Sequence, residues 1–344
     1  MSDRPVLERY DDPLSLIWLD AAARLGIRVE RSASAYAAWD GESTLTVASV
    51  EHLDADDSLA QLVFHELCHA LVAGPDGRRR TDWGLDNTSE RDLVFEHACH
   101  RVQAALAAPY GLRAFFAVTT EWRPYWDALP ADPLSGTDDP AIALARRALV
   151  EAEKTAFGAV LRDALDATAG MADAVRARAP DGSLWKLTRA RHSSGFLAHQ
   201  EPDRRCGNCA WSHGNARALA CRQATRAGRT EVRVRPDTAA CELWEPLLDA
   251  SACAPCGACC REGFDRVELV RRDALARKHP ELVTTDAWGV FIARPGGRCA
   301  ALEGDGATAA FRCRVYDDRP KACADFVVGG SACLVARRRA GVSR

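Results

Sequence analysis

The run Val63-Phe64-His65-Glu66-Leu67-Cys68-His69-Ala70-Leu71 holds three residues whose types and spacing suit metal chemistry. On an α-helix His65 and His69 fall one turn apart on one face, where both imidazoles can reach a single zinc ion while Glu66 reaches the water beside it. At 100° per residue the three span an arc of roughly 100°, and Val63, Phe64, Leu67 and Leu71 fall on the other side, where they can serve a core. A catalytic zinc needs a third protein ligand and an open position. The following acidic segment offers Glu90, Asp92, Glu96, His97 and His100. Glu96 and His100 stand one turn apart on a face shared with Ala104 and Ala107, whose small size lets two helices approach. Val94, Ala98, Val102 and Ala105 take the opposite face. Glu96 is the expected third ligand, with His100 as its supporting partner or as a competing ligand.

Thiols supply the second set of metal-binding groups. Only Cys68 and Cys99 precede residue 200; the other twelve cysteines lie between Cys206 and Cys333. Cys206-Gly-Asn-Cys209 followed by Cys221 and Cys241, with Trp211 and Trp244 beside the two ends, gives four thiolates, enough for one tetrahedral structural zinc; a redox pair at Cys206 and Cys209 is the alternative. Cys253-Ala-Pro-Cys256-Gly-Ala-Cys259-Cys260, then Cys299, Cys313, Cys323 and Cys333, give eight more. Adjacent residues project differently, so Cys259 and Cys260 would serve two metals more easily than one: two zinc sites, or one zinc and one iron-sulfur cluster.

These residues need helices and short strands to position them. Residues 14–25 read as an amphipathic helix ending before Gly26. Strands are expected at 27–30, 35–39 and 45–47, with Asp40-Gly41 as a hairpin turn. Asp56 and Asp57 supply capping carboxylates for a helix from about Ser58 to Val72, stopped by Gly74-Pro75. A polar loop with Gly77, Gly84 and Asn87 leads to a second helix from about Ser89 to Ala107. Residues from Pro140 to about Arg178 carry helical spacing that Gly158 and Gly170 divide into two or three helices.

His65-Glu66-Leu67-Cys68-His69, followed by Glu96 opening an alanine-rich helix that ends at Pro109, resembles a compact gluzincin metallopeptidase, similar in layout to the ImmA/IrrE-type peptidases, over roughly residues 36–112. His97 and His100 depart from that family's usual small and Asn residues. The resemblance implies metal-assisted hydrolysis of a peptide or protein substrate: Zn2+ bound by His65, His69 and Glu96 polarises the scissile carbonyl, and Glu66 acts as catalytic base and passes the proton to the leaving amine. His97, His100, Tyr110 and Tyr125 are candidate oxyanion donors. The CxxCxxCC run, with Cys313-Arg-Val-Tyr316-Asp-Asp-Arg319-Pro320-Lys-Ala-Cys323, resembles the YkgJ-type cysteine-cluster family over about residues 251–333, which implies zinc or iron chelation.

A formal net charge of -3 supplies no strong field for nucleic acid or an anionic membrane. Only four of the 45 basic residues are lysines, an arginine bias typical of codon usage, so Arg78-Arg79-Arg80 and Arg337-Arg338-Arg339 read as solvated charge. Arg222, Arg226 and Arg229 are the local support for a nucleic-acid-binding module at Cys206 to Cys241, which stays the weakest reading. No stretch approaches the roughly 18 apolar residues of a membrane span, and residues 1–5 lack a signal-peptide core, so a cytoplasmic location and no membrane partner are expected. Clustered thiols in a reducing compartment argue for metal or redox chemistry rather than disulfides.

The expected class is α+β: a zincin-like domain at 1–135, with a short antiparallel sheet, the His-Glu-x-x-His helix and a third-ligand helix. A helical segment at 136–200, a four-Cys module at 201–248 and an eight-Cys cluster domain at 249–344 follow. Two functions compete: a cytoplasmic zinc-dependent peptidase with a chelating C-terminus, and a non-catalytic metal-binding or iron-sulfur electron-transfer or sensor protein.

Overall fold

The computed structural model describes residues 8, 10–86, 90–215, 217–228, 230, 232–270 and 272–343. Residues 1–5, Asn87, Ser89 and Arg229, used in the sequence reading, lie outside the described residues. The chain divides into two units, Met1–Arg191 and His192–Arg344.

In the first unit, Asp12 caps α1 (Pro13–Arg24) by accepting the Ser15 N–H at 2.8 Å, and Pro13 occupies the first turn, where no donor is missed. Three strands follow: β1 (Arg28–Ser32), β2 (Ala37–Trp39) and β3 (Thr44–Ala48). Their order is β1-β3-β2, with β1 parallel and β2 antiparallel to the central β3. The sheet is therefore mixed, not antiparallel as expected. The β2 to β3 turn reverses the chain, so β1, on the far side of β3, runs with β3. Asp40 Oδ1 closes that turn by accepting the N–H groups of Glu42, Ser43 and Thr44.

The His-Glu-x-x-His segment lies in α2 (Leu59–Gly77). Its cap is Ser58, whose Oγ accepts from Gln61 N and donates to Gln61 Oε1, rather than Asp56 or Asp57. Gly74 (φ 70°) kinks the helix before Pro75 and one further turn follows, so Gly74-Pro75 bends it without ending it. A 3₁₀ turn at Glu90–Asp92 precedes α3 (Leu93–Ala107). Next come α4 (Arg123–Ala128), α5 (Ala141–Lys154) and α6 (Ala156–Val175). The break between α5 and α6 is the extended Thr155, not a glycine. Gly158 instead marks a close approach: a Cβ there would lie 2.5 Å from the Ala152 carbonyl oxygen.

One apolar core joins α1, α2, α3, α5, α6 and the sheet. At its centre Trp18, Phe64 and Phe116 contact one another at 4.8–5.4 Å between ring centroids. The Trp18 indole N–H donates to Thr168 Oγ1 on α6 at 3.1 Å, satisfying a donor that burial would otherwise strand. Helices from the expected 136–200 segment thus complete the core that backs α2 and α3.

The second unit is loop-rich. It holds an antiparallel sheet of β4 (Ser212–Asn215), β5 (Ala218–Cys221) and β6 (Val232–Val234). After it come the single turn α7 (Cys253–Cys256), α8 (Ala274–Lys278) and the antiparallel pair β7 (Val283–Asp286) and β8 (Gly289–Ile292). The pair β9 (Leu302–Glu303) and β10 (Arg312–Cys313), α9 (Lys321–Ala324) and α10 (Ser331–Arg339) complete it. Its apolar clusters are small: Leu269, Leu275, Leu282, Ile292 and Val315 anchor one, Trp211 and Leu334 another. No described helix is long and apolar enough to cross a membrane. Mixed helices and small sheets make the chain α+β.

Candidate metal centre

The buried stripe of α2, with Val63, Phe64 and Leu67 fully enclosed, fixes the rotation that turns His65, Glu66 and His69 towards α3. His65 Nε2 and His69 Nε2 are 3.0 Å apart. Glu96 Oε1 lies 3.4 Å from the first and Oε2 3.2 Å from the second. Ligand atoms around one tetrahedral ion with zinc-like bonds of about 2.0–2.1 Å sit about 3.3 Å apart, so two imidazoles at this spacing with a carboxylate that sets one oxygen against each form a donor set that fits zinc.

Supporting contacts set the imidazole tautomers. Gln103 Nε2 donates to the Phe116 carbonyl at 2.6 Å, which leaves Gln103 Oε1 to accept from His65 Nδ1 at 2.9 Å and frees His65 Nε2 as a ligand atom. His69 Nδ1 meets the buried Cys99 Sγ at 3.1 Å. His100, fully buried, places Nε2 2.9 Å from Glu96 Oε1, an ion-pair contact without hydrogen-bond alignment, and its Nδ1 has no partner either. Of the other third-ligand candidates, Asp92 is tied to Arg91 and the Asp86 N–H, Glu90 is exposed, and His97 stacks on Tyr125 at 3.6 Å. None of the three reaches the donor set.

Protonation follows from the geometry. Burial acts to lower the His65 pKa, but the Glu96 and Glu66 carboxylates outweigh it and push the imidazole up to about 9. Burial would raise Glu96, yet the His69 and His65 charges hold it far below the usual carboxylate range. Burial brings His100 down to about 4. In the metal-free protein a proton on His65 thus balances Glu96, and a dication would take over that role.

Glu66 is held from behind. The Trp83 indole N–H donates to its Oε2 at 2.7 Å, leaving the other oxygen uncommitted by that bond. Trp83 (φ 59°) and Asp82 (φ 48°) both adopt left-handed backbone, which costs a non-glycine residue about 1 kcal/mol or more. The conformation is held by Trp39, which stacks on Trp83 at 4.5 Å and donates its backbone N–H to Asp82 Oδ1 at 3.1 Å.

In front of α2 lies a cleft of about 570 Å³ that includes His65, Glu66, His69, Glu96 and His100 in its wall. Tyr125 is not in that wall: its hydroxyl donates to Asp139 at 2.7 Å and accepts from Arg101 at 2.6 Å. Tyr110 and His97 are also outside it, so of the expected oxyanion donors only His100 borders the cleft. Tyr36 borders it as well, its hydroxyl donating to Asp57 at 3.0 Å; burial and then the Asp57 charge push that phenol up to about 12.

In the second unit all thiols are free, as are Cys68 and Cys99 in the first. Burial, then the charges of Cys221, Cys209 and Cys241, push Cys206 up to about 12. Ser194 donates its backbone N–H to His192 Nδ1 at 3.0 Å, so the imidazole proton sits on Nε2, which donates to Cys206 Sγ at 3.2 Å. Four of the eight later thiols, Cys260, Cys299, Cys313 and Cys323, lie around the Leu275 apolar cluster. Cys253 and Cys333 feel the charges of Cys256 and Cys259, and Cys259 also reaches Cys323. Cys259 accepts a hydrogen bond from Cys260, which draws Cys259 down to about 6 and raises Cys260. Among the described residues, His65-Glu66-His69 and His65-Glu96-His100 each bring three candidate ligand atoms within 4.8 Å of one another, and no three cysteine sulfurs are drawn that close.

Residues 252–333 match the family CxxCxxCC, described as "Putative zinc- or iron-chelating domain". The cysteine-rich end of the chain is thereby similar to a class of metal-chelating domains defined by the Cys253 to Cys260 run. No curated protein and no solved structure matches the chain.

Proposed function

We propose that this chain is a zinc-dependent peptidase of the zincin type carrying a C-terminal zinc- or iron-chelating domain. The observation that carries the reading is the convergence of His65 Nε2 and His69 Nε2, 3.0 Å apart, on the Glu96 carboxylate, whose Oε1 lies 3.4 Å from the first and Oε2 3.2 Å from the second, in the wall of a cleft beside Glu66. A zinc ion held there would supply a Lewis acid for a peptide carbonyl and lower the pKa of water. Glu66 then takes the proton from the attacking water through the oxygen that Trp83 leaves free, and delivers it to the departing amine. Trp83 keeps the carboxylate from rotating away, and Gln103 and Cys99 keep the imidazoles aimed.

Glu66→Gln tests the assignment. The amide retains the shape and can still accept from Trp83, so zinc stays bound while hydrolysis falls by about 10²–10⁴-fold. Equal activity in the two proteins excludes Glu66 as base.

A second reading, a non-catalytic metal-binding or iron-sulfur sensor, draws on the family match over residues 252–333. Anaerobic purification separates the two: a brown protein with visible absorption favours iron-sulfur chemistry, and a colourless zinc protein favours the peptidase.

A further inference from the structure

Besides Glu66 and Glu96, the cleft wall carries Asp54, Asp57, Asp86, Asp92 and Glu121, and neither lysine nor arginine. Arg91 answers Asp92 at 2.8 Å and Asp86 at 4.0 Å. The other three have no such partner: among the described residues no lysine or arginine forms an ion pair with Asp54, Asp57 or Glu121. Asp57 is held by three neutral donors, the Tyr36 hydroxyl at 3.0 Å, Thr119 Oγ1 at 2.6 Å and the Asp54 N–H at 3.2 Å. Its charge is oriented but not neutralised. That the cleft receives a ligand is indicated independently by the donor set, and by fully buried His100 in its wall with an unpartnered ring nitrogen.

The concave wall, apolar in part through Leu62, Leu85, Leu93 and Val118, concentrates such a field in the cleft. An anionic segment would meet the uncompensated charge of Asp54, Asp57 and Glu121, whereas lysine or arginine side chains would find acceptors there. The rim also presents Tyr36 and Trp122, whose ring faces suit a guanidinium.

We infer that the polypeptide accepted by this cleft is cationic, with lysine or arginine flanking the bond to be cut. The inference rests on the peptidase reading, and binding is the measurement that separates the two.

Full-length, zinc-loaded Glu66→Gln protein is titrated with two fluorescent peptides of equal length, matched except that lysine and arginine in one are glutamate in the other. The cationic peptide is expected to bind about tenfold tighter or more at low salt, with the advantage shrinking as salt is added. Combining Asp54→Asn with Glu121→Gln in that protein should reduce the preference to about threefold or less. Equal binding, preference for the acidic peptide, no binding of either, or a preference untouched by the double change would each overturn the inference. If the cationic peptide is preferred but the zinc-loaded native protein leaves it uncut, the charge preference stands and the peptidase reading falls.

Discussion

His65 makes metal uptake a competition with protons. Below its pKa of about 9 the imidazole in the metal-free protein is protonated, and a zinc ligand must be neutral, so binding expels that proton. Apparent zinc affinity is therefore expected to rise about tenfold per pH unit on the acidic side and to level off above about 9. Calorimetry in buffers of different ionisation enthalpy should count close to one released proton per zinc at neutral pH; an affinity flat with pH would contradict the assignment. Gln103 acts one step further out. Gln103→Ala removes the acceptor that orients His65 and strands the Phe116 carbonyl, so zinc should bind about 10–100-fold more weakly while the fold persists, as read by competition with a chromogenic chelator. Much of this site was legible beforehand, because helical spacing alone puts His65, Glu66 and His69 together and pairs Glu96 with His100. Gln103 was not picked out, although its place seven residues after Glu96 puts it on the same face. Trp83, Tyr36 and His192 were not legible, since nothing local in a sequence reports a bond reaching from a loop to Glu66, Asp57 or Cys206.

Elements carry the second lesson. Helix positions followed from periodicity and capping, and strands from short apolar runs, but the direction of β1 depends on which side of β3 it joins. That is a long-range choice with no local signal. The role of α5 was hidden for the same reason: its spacing predicts a helix, not that the helix packs on both α2 and α3. This packing bears on how the site can be isolated. A fragment ending at residue 135 would expose the faces that α5 and α6 cover, including Phe64 and Trp18, and should be unfolded or aggregated. A fragment of residues 1–191 should fold and bind one zinc; recovering it folded but metal-free at saturating zinc would sink the site.

At the scale of the whole molecule, the two units differ in what can hold them together. The first closes over a continuous apolar core, whereas the second has small clusters and many thiols, so metal ligation should supply much of its folding energy. Replacing both Cys256 and Cys259 by Ser is expected to lower the bound-metal count and expose the region after Ser251 to protease. His65, His69 and Glu96 should keep their zinc. Metal analysis with limited proteolysis checks this: unchanged metal with an intact C-terminal fragment would show that these cysteines are not ligands, and loss of all zinc would show that the units are not independent.

The parallel indoles of Trp39 and Trp83, 4.5 Å apart and within 3° of coplanar orientation, have an optical consequence. Chromophores this close share their excitation, so the pair should leave its own signature in the ultraviolet circular dichroism, one that vanishes when the rings part. Because Trp83 also holds Glu66, that signal would report, without label or substrate, whether the Glu66 carboxylate is still tethered.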